Sequence, residues 1–332
     1  MQDEQMKDFI EPSRLDSAVK GLKTAFNIDT PDAINKLVGG GSTASMWKIT
    51  VKNHPYVLRL MGLDQPIADR RVQVICAQYG ARLGIAPQCY YADAENGILI
   101  MDYIHSAEVT KEIIFNQMPA LLAKLHDSEK MPEAYCVIFP YMSDFIGKMI
   151  TKTPSKKIIE YYKTIQDIML ILVKHRQLAS CHNDLNSENI LYDGKQIYLI
   201  DFEAAGTEDP YFDLATVCQQ NCFDTEEELL FLEKYMTRKP NALEIAKLAL
   251  MKQVSYCYHA LHFFDHAYSA GMMSYHGEVP TFQQWYEGRK QGKYSYETTQ
   301  DLILYAMVVL NQSLEEMAQP TFKEAMLLLE TS

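Results

Sequence analysis

Residues 182–189 read HNDLNSEN, and residues 197–203 read IYLIDFE. The first run has the form H-x-D-x-x-x-x-N, and the second is an apolar strand that ends in an acidic turn. Phosphoryl transfer from ATP needs a group that orients the acceptor hydroxyl and oxygen ligands that hold magnesium on the phosphates. Asp184 suits the first task, and Asn189 with Asp201 suit the second. The pattern therefore predicts a kinase; the competing interpretation is a simple turn and cap at His182 and Asp184.

Composition narrows the remaining classes. The chain has 332 residues, of which 48% are hydrophobic, so it can bury a sizeable core. Its formal net charge is −12, so it lacks the basic surface of a general nucleic-acid binder. The first 101 residues carry equal numbers of acidic and basic side chains, so the whole excess of acid arises after them. This asymmetry predicts two parts with different ligands.

Targeting signals and cysteine spacing suggest where the protein acts. No apolar stretch approaches the roughly 20 residues that a membrane helix requires, and the first residues lack the pattern of a secretory signal. The seven cysteines are scattered without a C-x-x-C pair, as expected of reduced thiols. We therefore expect a cytoplasmic protein with no membrane and no nucleic-acid partner.

Hydrophobic periodicity predicts a small strand-rich part followed by a larger helical part. Helices are expected at Leu15–Phe26 and Ile67–Arg82, the second stopped by Gly84 and Pro87. Strands are expected at Met46–Val51, Tyr56–Met61, Cys89–Ala94 and Gly97–Tyr103, with two short ones at Asn189–Tyr192 and Gln196–Ile200. The expected fold is α+β and two-lobed, like a protein kinase, with an N-lobe over 1–101 and a C-lobe over 102–332. The N-lobe would contain the N-terminal helix, a Gly-rich hairpin and an antiparallel sheet.

A glycine-rich run, residues 39–45, lies between a short expected strand at Leu37–Val38 and the strand Met46–Val51. It leads into a strand, whereas a dinucleotide-binding G-x-G-x-x-G would lead into a helix, and no Gly-Lys-[Ser/Thr] of a Walker loop follows. Backbone amides of a Gly-rich hairpin can close over nucleotide phosphates, which makes Gly40, Gly41, Ser42 and Thr43 candidate ATP contacts. An ordinary hairpin loop remains the alternative.

Four runs of residues in the segment 181–215 are distinctive: CHND at 181–184, ENIL at 188–191, LIDFEAAG at 199–206 and DPYFDLA at 209–215. On these residues the segment resembles the choline/ethanolamine kinase branch of the aminoglycoside-phosphotransferase-like kinases, and particularly the bacterial choline kinases. Asp-Phe-Glu replaces the Asp-Phe-Gly of protein kinases. The resemblance is expected to extend over residues 30–310, but it is specific only in this segment.

The resemblance implies a role for each matching residue. Asp184 would be the catalytic residue at the substrate hydroxyl, with Asn186 in the same loop. Asn189 and Asp201 would be Mg²⁺ ligands, and Glu203 would lie beside the metal or the substrate. For Glu203 the alternative is a solvated carboxylate just beyond a strand.

Arg59, in the strand Tyr56–Met61, occupies the place where this fold puts a phosphate-contacting Lys or Arg. Its guanidinium can grip phosphate oxygens in a bidentate way. The expected glutamate partner on the next helix is missing, so Asp69 and Gln73 are the candidates to replace it. A plain surface arginine is the alternative.

The segment Ile100–Ile104 should connect the lobes. Adenine in this fold usually bonds to connector backbone, which makes Asp102 and Ile104 the expected contacts. The residue types do not distinguish this from a buried edge strand.

The acceptor is expected to be a small cation such as choline. A quaternary ammonium is best held by aromatic faces with nearby carboxylates, and Tyr256 and Trp285 are the candidates for such a cage, although an aromatic stripe on a helix is more often core. The predicted activity is phosphorylation of choline or ethanolamine by ATP with Mg²⁺, in a monomer or homodimer. Alternatives are an aminoglycoside, thiamine-like or sugar acceptor, and a catalytically silent nucleotide-binding module.

Overall fold

The computed structural model describes residues 6–7, 9–37, 44–133, 137–153 and 155–332. It divides into two compact units, one formed by residues 1–135 and 179–207 and the other by residues 136–178 and 208–332. The first unit contains the strands and the second is helical, so the α+β class is confirmed. The boundary at residue 101 between the two lobes stays a prediction.

A five-stranded antiparallel sheet forms the centre of the first unit, in the order β1-β2-β3-β5-β4. Its strands are β1, Ala33–Lys36; β2, Ser45–Val51; β3, His54–Leu60; β4, Cys89–Asp93; and β5, Ile98–Asp102. The four longer predicted strands are confirmed, with ends that differ by one or two residues. β3 lies in the middle of the sheet, which makes it the most constrained place for a functional side chain.

Helix α1, Pro12–Phe26, covers one face of this sheet. Its Leu22 is fully buried against Ile49 and Leu58, whose side chains point to the same face of the sheet. Arg14 fastens the start of the helix, because its guanidinium donates hydrogen bonds of 2.8 Å to the Met61 carbonyl and 2.7 Å to the Gly97 carbonyl. Arg59 follows Leu58 in β3, and successive side chains of a strand point to opposite faces of the sheet. Arg59 therefore lies on the face opposite α1.

Helix α2, Ile67–Arg82, confirms the prediction at both ends. The chain turns directly afterwards at Gly84, whose φ of +69° suits a residue without a side chain. The first unit continues with helix α3, Lys111–His126, and with short strands at β6, Ala179–Cys181; β7, Ile190–Tyr192; and β8, Ile197–Leu199; it ends within β9, Gly206–Glu208. β7 and β8 form a hairpin, and the predicted metal ligands lie at its open end, Asn189 directly before β7 and Asp201 shortly after β8.

The second unit is built around one long helix. The bounds of its helices are α4, Ile138–Lys152; α5, Lys156–Lys174; α6, Pro210–Gln220; α7, Thr225–Met236; α8, Ala242–Ser269; α9, Phe282–Lys290; α10, Thr299–Met317; and α11, Pro320–Glu330. Helix α8 contacts α4, α5, α6, α10 and α11. A capping box between Asn241 and Glu244 begins it. Among the described residues, no helix combines the length and the apolar character needed to cross a membrane.

Candidate active site

The loop after β6 is anchored by two side chains that reach the segment after β8. The buried ring of His182 donates from Nε2 to the Ile200 carbonyl at 2.9 Å, and its centroid lies 4.8 Å from that of Phe202. Asn183 donates from Nδ2 to the Ala204 carbonyl at 2.9 Å. These contacts hold the two motifs, residues 182–189 and 197–203, side by side.

Both segments contain a residue in the left-handed region of φ. Asn183 has a φ of +64° and Asp201 a φ of +61°. For residues other than glycine such a backbone is costly and persists only where the surroundings hold it. The hydrogen bonds of His182 and Asn183 supply that support, and the strain marks the turn that carries Asp201 as a functional candidate.

Asp184, Asn186 and Asn189 form one hydrogen-bonded group. Asn186 donates from Nδ2 to Asp184 Oδ1 at 3.0 Å, and Asn189 donates from Nδ2 to Asp184 Oδ2 at 2.7 Å. Asn186 also accepts from the Glu188 amide at 2.9 Å and so begins the 3₁₀ turn Ser187–Asn189. The carboxylate of Asp184 is thus oriented by two amides, and the Asn189 side chain turns its nitrogen towards Asp184 and leaves its oxygen for another partner.

The backbone joins Asn189 to the strand before Asp201. The Ile200 amide donates to the Asn189 carbonyl at 3.0 Å, directly beyond the β7–β8 pair of Ile190 and Leu199. The two predicted metal ligands therefore leave the same end of one hairpin.

Arg59 meets these residues from the central strand. Its side chain is 8% exposed, and Nη2 lies 2.7 Å from Asp201 Oδ1 and 3.8 Å from Glu203 Oε2. The interpretation as a surface arginine is wrong, since the guanidinium is buried. The expectation that Asp69 or Gln73 holds it is also unsupported: in the described part of the chain its ion-pair partners are Asp201 and Glu203, and the Gln73 amide donates to Gln65 instead.

Glu203 is 43% exposed but belongs to the same electrostatic group. Burial raises the pKa of Glu203, the charges of Asp201 and Asp184 act in the same direction, and Arg59 opposes them. Glu203 is close enough to Asp201 and Asp184 to be repelled by both, and these carboxylates with the Asn189 amide oxygen are the hard oxygen donors that Mg²⁺ prefers. The residues present therefore fit the metal.

The candidate nucleotide contacts fall into two groups. Gly40, Gly41, Ser42 and Thr43 lie outside the described residues. Asp102 ends β5, where its amide donates to the Gln88 carbonyl at 3.0 Å, and Ile104 follows in an irregular segment. The expected adenine contacts at Asp102 and Ile104 stay predictions.

Both candidate cage residues lie in the interior of the second unit, 3% and 2% exposed for Tyr256 and Trp285. The Tyr256 hydroxyl donates to Glu316 Oε1 at 2.9 Å, and the ring packs against Phe282 at the start of α9. Trp285, on the same helix, packs against Tyr305 with a centroid distance of 4.3 Å. Its neighbours Tyr305, Tyr296 and Arg289 were not predicted from the sequence, although further aromatic residues follow Trp285 along the chain.

Known proteins resemble this chain over most of its length. The model of the choline/ethanolamine kinase family matches residues 35–313. The chain belongs to the choline/ethanolamine kinase family. This confirms the resemblance, and with it the expected class of enzyme, a phosphotransferase that acts on an alcohol group.

Individual members of the family are distant relatives of this chain. Protein LicA of Haemophilus influenzae is 23% identical over 210 residues, which cover 59% of this chain and 61% of the length of that relative. A choline/ethanolamine kinase family protein of Mesorhizobium loti has a TM-score of 0.70 at 19% identity, with 96% of this chain and 100% of the other covered. The choline kinase LicA of Streptococcus pneumoniae has a TM-score of 0.57 at 18% identity, with 91% of this chain and 98% of the other covered. Aminoglycoside phosphotransferases share the fold as well.

Proposed function

We propose that this chain transfers the γ-phosphoryl group of ATP to the hydroxyl of choline and yields phosphocholine and ADP. The observation that carries the proposal is the linked group of Asp184, Asn189, Asp201 and Arg59 within the first unit. It combines a carboxylate for the acceptor hydroxyl, oxygen ligands for a metal and a cation for phosphate. Membership of the choline/ethanolamine kinase family supports the proposal, and LicA, a protein of the same fold, has been solved with AMP.

In this reaction the acceptor oxygen forms a bond to the γ-phosphorus while the bond from that phosphorus to the bridging oxygen of ADP breaks. Asp184 orients the hydroxyl and takes its proton. The two amides that donate to Asp184 keep its carboxylate in one orientation, so less freedom is lost when the acceptor binds. Arg59 offers parallel N–H donors to phosphate oxygens. Bound Mg²⁺, held by Asn189 and Asp201 with Glu203 beside them, would neutralise charge on the phosphates.

The choice of choline rests on the charge and ring content of the later part of the chain. All of the net charge of −12 arises after residue 101, and acidic surroundings attract a cationic acceptor. An aminoglycoside would need many carboxylates and few aromatic rings, whereas this region is rich in Tyr, Phe and Trp. Ethanolamine carries the same charge, so it is the acceptor against which choline has to be compared.

ADP release measured with choline, ethanolamine, thiamine and kanamycin tests the proposal. We expect Mg²⁺-dependent release that is fastest with choline and is lost in Asp184→Ala. Release with kanamycin alone would replace choline by an aminoglycoside. If none of the acceptors gives turnover while ATP still binds, the kinase proposal is wrong and the silent binding module takes its place.

A further inference from the structure

Two glutamines of the first unit connect helix α2 to the acidic turn after β8. Gln73, on α2, is 5% exposed, and its Nε2 donates to Gln65 Oε1 at 3.2 Å. Gln65 lies in the turn before α2 and is half-buried. Because its oxygen is engaged by Gln73, its amide nitrogen is left as the donor, and the Gln65 amide donates to the Glu203 carboxylate. The contacts therefore run in one direction, from the buried helix to the carboxylate.

The same helix also contacts the chain on both sides of Glu203. Cys76 and Gly80 lie one and two helical turns beyond the buried glutamine of α2. Cys76 Sγ donates to the Ala205 carbonyl at 3.7 Å, and Gly80 leaves space for Phe202, whose ring a Cβ at Gly80 would approach to 2.6 Å. The backbone of this segment is thereby held in place, so the side chain of Glu203, which is 43% exposed, is the part that can change partners.

Arg59 is the competing partner of Glu203. Arg59 Nη2 donates to Asp201 Oδ1 at 2.7 Å but lies 3.8 Å from Glu203 Oε2, which is beyond hydrogen-bond distance. Within the described part of the chain, the Arg59 side chain makes only the hydrogen bond to Asp201, and its buried Nε has no partner. A shift of about 1 Å would bring Glu203 into direct contact with the guanidinium. Opposite charge favours that shift, and the Gln65 amide opposes it.

We propose that Gln65 is a positioning residue, which holds the Glu203 carboxylate away from Arg59 and so leaves the guanidinium available to bind phosphate. Gln73 keeps the Gln65 amide in the orientation that this role requires. The inference rests on the proposed function and adds to it two residues that act through Glu203.

The balance of charge explains why this separation matters. Arg59 carries one positive charge and already pairs with Asp201. A second carboxylate in direct contact would occupy the remaining donors of the guanidinium, and it would leave a net negative charge where the phosphates of ATP have to bind. With Glu203 on the Gln65 amide, those donors stay available for phosphate oxygens.

Gln65→Met tests this role, because it removes the donor and keeps the size of the side chain. Isothermal titration calorimetry of the full chain with Mg²⁺ and the non-hydrolysable analogue AMP-PNP measures nucleotide binding without turnover. We expect the Kd for the nucleotide to rise about tenfold, the lower end of what one hydrogen bond to a charged group contributes. The KM for ATP should rise in proportion, with kcat and the KM for the acceptor nearly unchanged. If Gln65→Met does not fold, Gln65→Leu provides the same test.

Coupling to Glu203 separates positioning from general damage to the loop. Glu203→Gln removes the negative charge that Arg59 attracts, so Gln65→Met should have no further effect on the nucleotide Kd in that background. A loop that is merely disturbed would weaken binding equally in both backgrounds.

Substitutions on α2 test the orientation of the amide. Gln73→Met should raise the nucleotide Kd about threefold, because Gln65 is then free to turn its oxygen towards Glu203. Gln78→Met is the matched control, because Gln78 follows Gln73 by five residues and lies on a different face of the same helix. We expect its Kd to equal that of the parent.

The outcomes separate this inference from the proposed function. Choline turnover with an unchanged nucleotide Kd in Gln65→Met, or with an equal rise in the Glu203→Gln background, would overturn the inference and leave the function standing. A rise that Gln78→Met reproduces would also refute the role assigned to the two glutamines. The expected coupling between Gln65 and Glu203 without turnover of choline would support the positioning role and overturn the proposed reaction.

Discussion

Arg59 Nη2 lies 2.7 Å from Asp201 Oδ1, so a cation from the central strand of the sheet neutralises a carboxylate expected to bind Mg²⁺. The two residues are 142 positions apart in sequence, and both are largely shielded from water. When a nucleotide binds together with its metal, the ion pair between Arg59 and Asp201 would be replaced by two others. Asp201 would then bind the metal, and the Arg59 guanidinium would bind phosphate. Substitutions of Arg59 therefore test the binding of both the nucleotide and the metal.

Replacement of Arg59 by lysine keeps the charge but removes the forked donor. We expect the KM for ATP in Arg59→Lys to rise about tenfold, because one charge-assisted hydrogen bond to phosphate is lost. Steady-state kinetics with ATP varied at saturating acceptor measures this. An unchanged KM for ATP would show that the guanidinium does not contact phosphate.

Removal of the Arg59 charge should affect metal binding without nucleotide. In Arg59→Gln, Asp201 and Glu203 lose their cation, so we expect Mn²⁺ to bind more tightly than to the parent chain. Electron paramagnetic resonance of free Mn²⁺ measures the affinity directly. Arg71→Gln is a matched control, because Arg71 pairs with Glu95 on the surface. Equal affinities in all three proteins would contradict the arrangement.

Asp184→Asn tests the proton acceptor with little change in shape. An amide cannot accept the hydroxyl proton, so we expect kcat to fall about 10²- to 10⁴-fold, the usual contribution of a general base. The KM for ATP should change little. A variant with more than a tenth of the parent kcat would assign Asp184 a role in folding of the loop rather than in proton transfer.

Gly80 in α2 leaves the space that Phe202 occupies. A Cβ at this position would lie 2.6 Å from Phe202 Cζ, and Phe202 in turn packs on the His182 ring. Gly80→Ala should therefore displace Phe202 and the neighbouring Asp201, with a loss of about 1–3 kcal/mol of stability and a lower kcat.

A matched control for Gly80→Ala is available in helix α4. A Cβ added at Gly147 would meet no atom of the described residues within 4 Å, so Gly147→Ala should stabilise the protein by about 0.5–1 kcal/mol. Thermal unfolding together with kcat measures both variants. A Gly80→Ala protein that matches the parent in both would show that Phe202 moves aside at no cost.

The buried imidazole of His262 should make the protein less stable in mild acid. Its ring packs against Tyr141, Phe145 and Tyr258, and burial lowers the pKa of His262 from 6.5 to about 4. Above pH 6.5 the folded and unfolded states are both neutral at this residue. Between pH 6.5 and 4 only the unfolded state binds the proton, so stability falls with pH by at most about 1.4 kcal/mol per pH unit.

Removal of the imidazole isolates this effect. His262→Leu should be less stable than the parent at pH 7, because the ring contacts are lost, but the difference between the two should narrow as the pH falls to 4. Thermal midpoints measured across that interval give the comparison. A constant difference would mean that His262 titrates alike in the folded and unfolded states.

The local elements can be predicted from sequence because neighbouring residues determine them. The prediction for Ile67–Arg82 is confirmed at both ends, since its apolar spacing and the following Gly84 are local signals. Asp184, Asn189 and Asp201 lie within one short segment, so their spacing along the chain already places them near one another. Their predicted roles in the reaction stay predictions for the experiments above.

Contacts between distant segments cannot be predicted in this way. Sequence suggests Asp69 or Gln73 as partners of Arg59, but the alternation of β3 directs Arg59 away from α1 and towards Asp201. Tyr256 and Trp285 are equal aromatic candidates by sequence, and only packing shows that both are buried and that Arg289 lies over Tyr296.

The order of residues along the chain was enough to predict the α+β class, the positions of helices and strands and the kinase motif, because these depend on short-range periodicity and spacing. Which charges neutralise one another, and which rings a cation can reach, emerged only from the folded arrangement, because burial and long-range packing set those relationships.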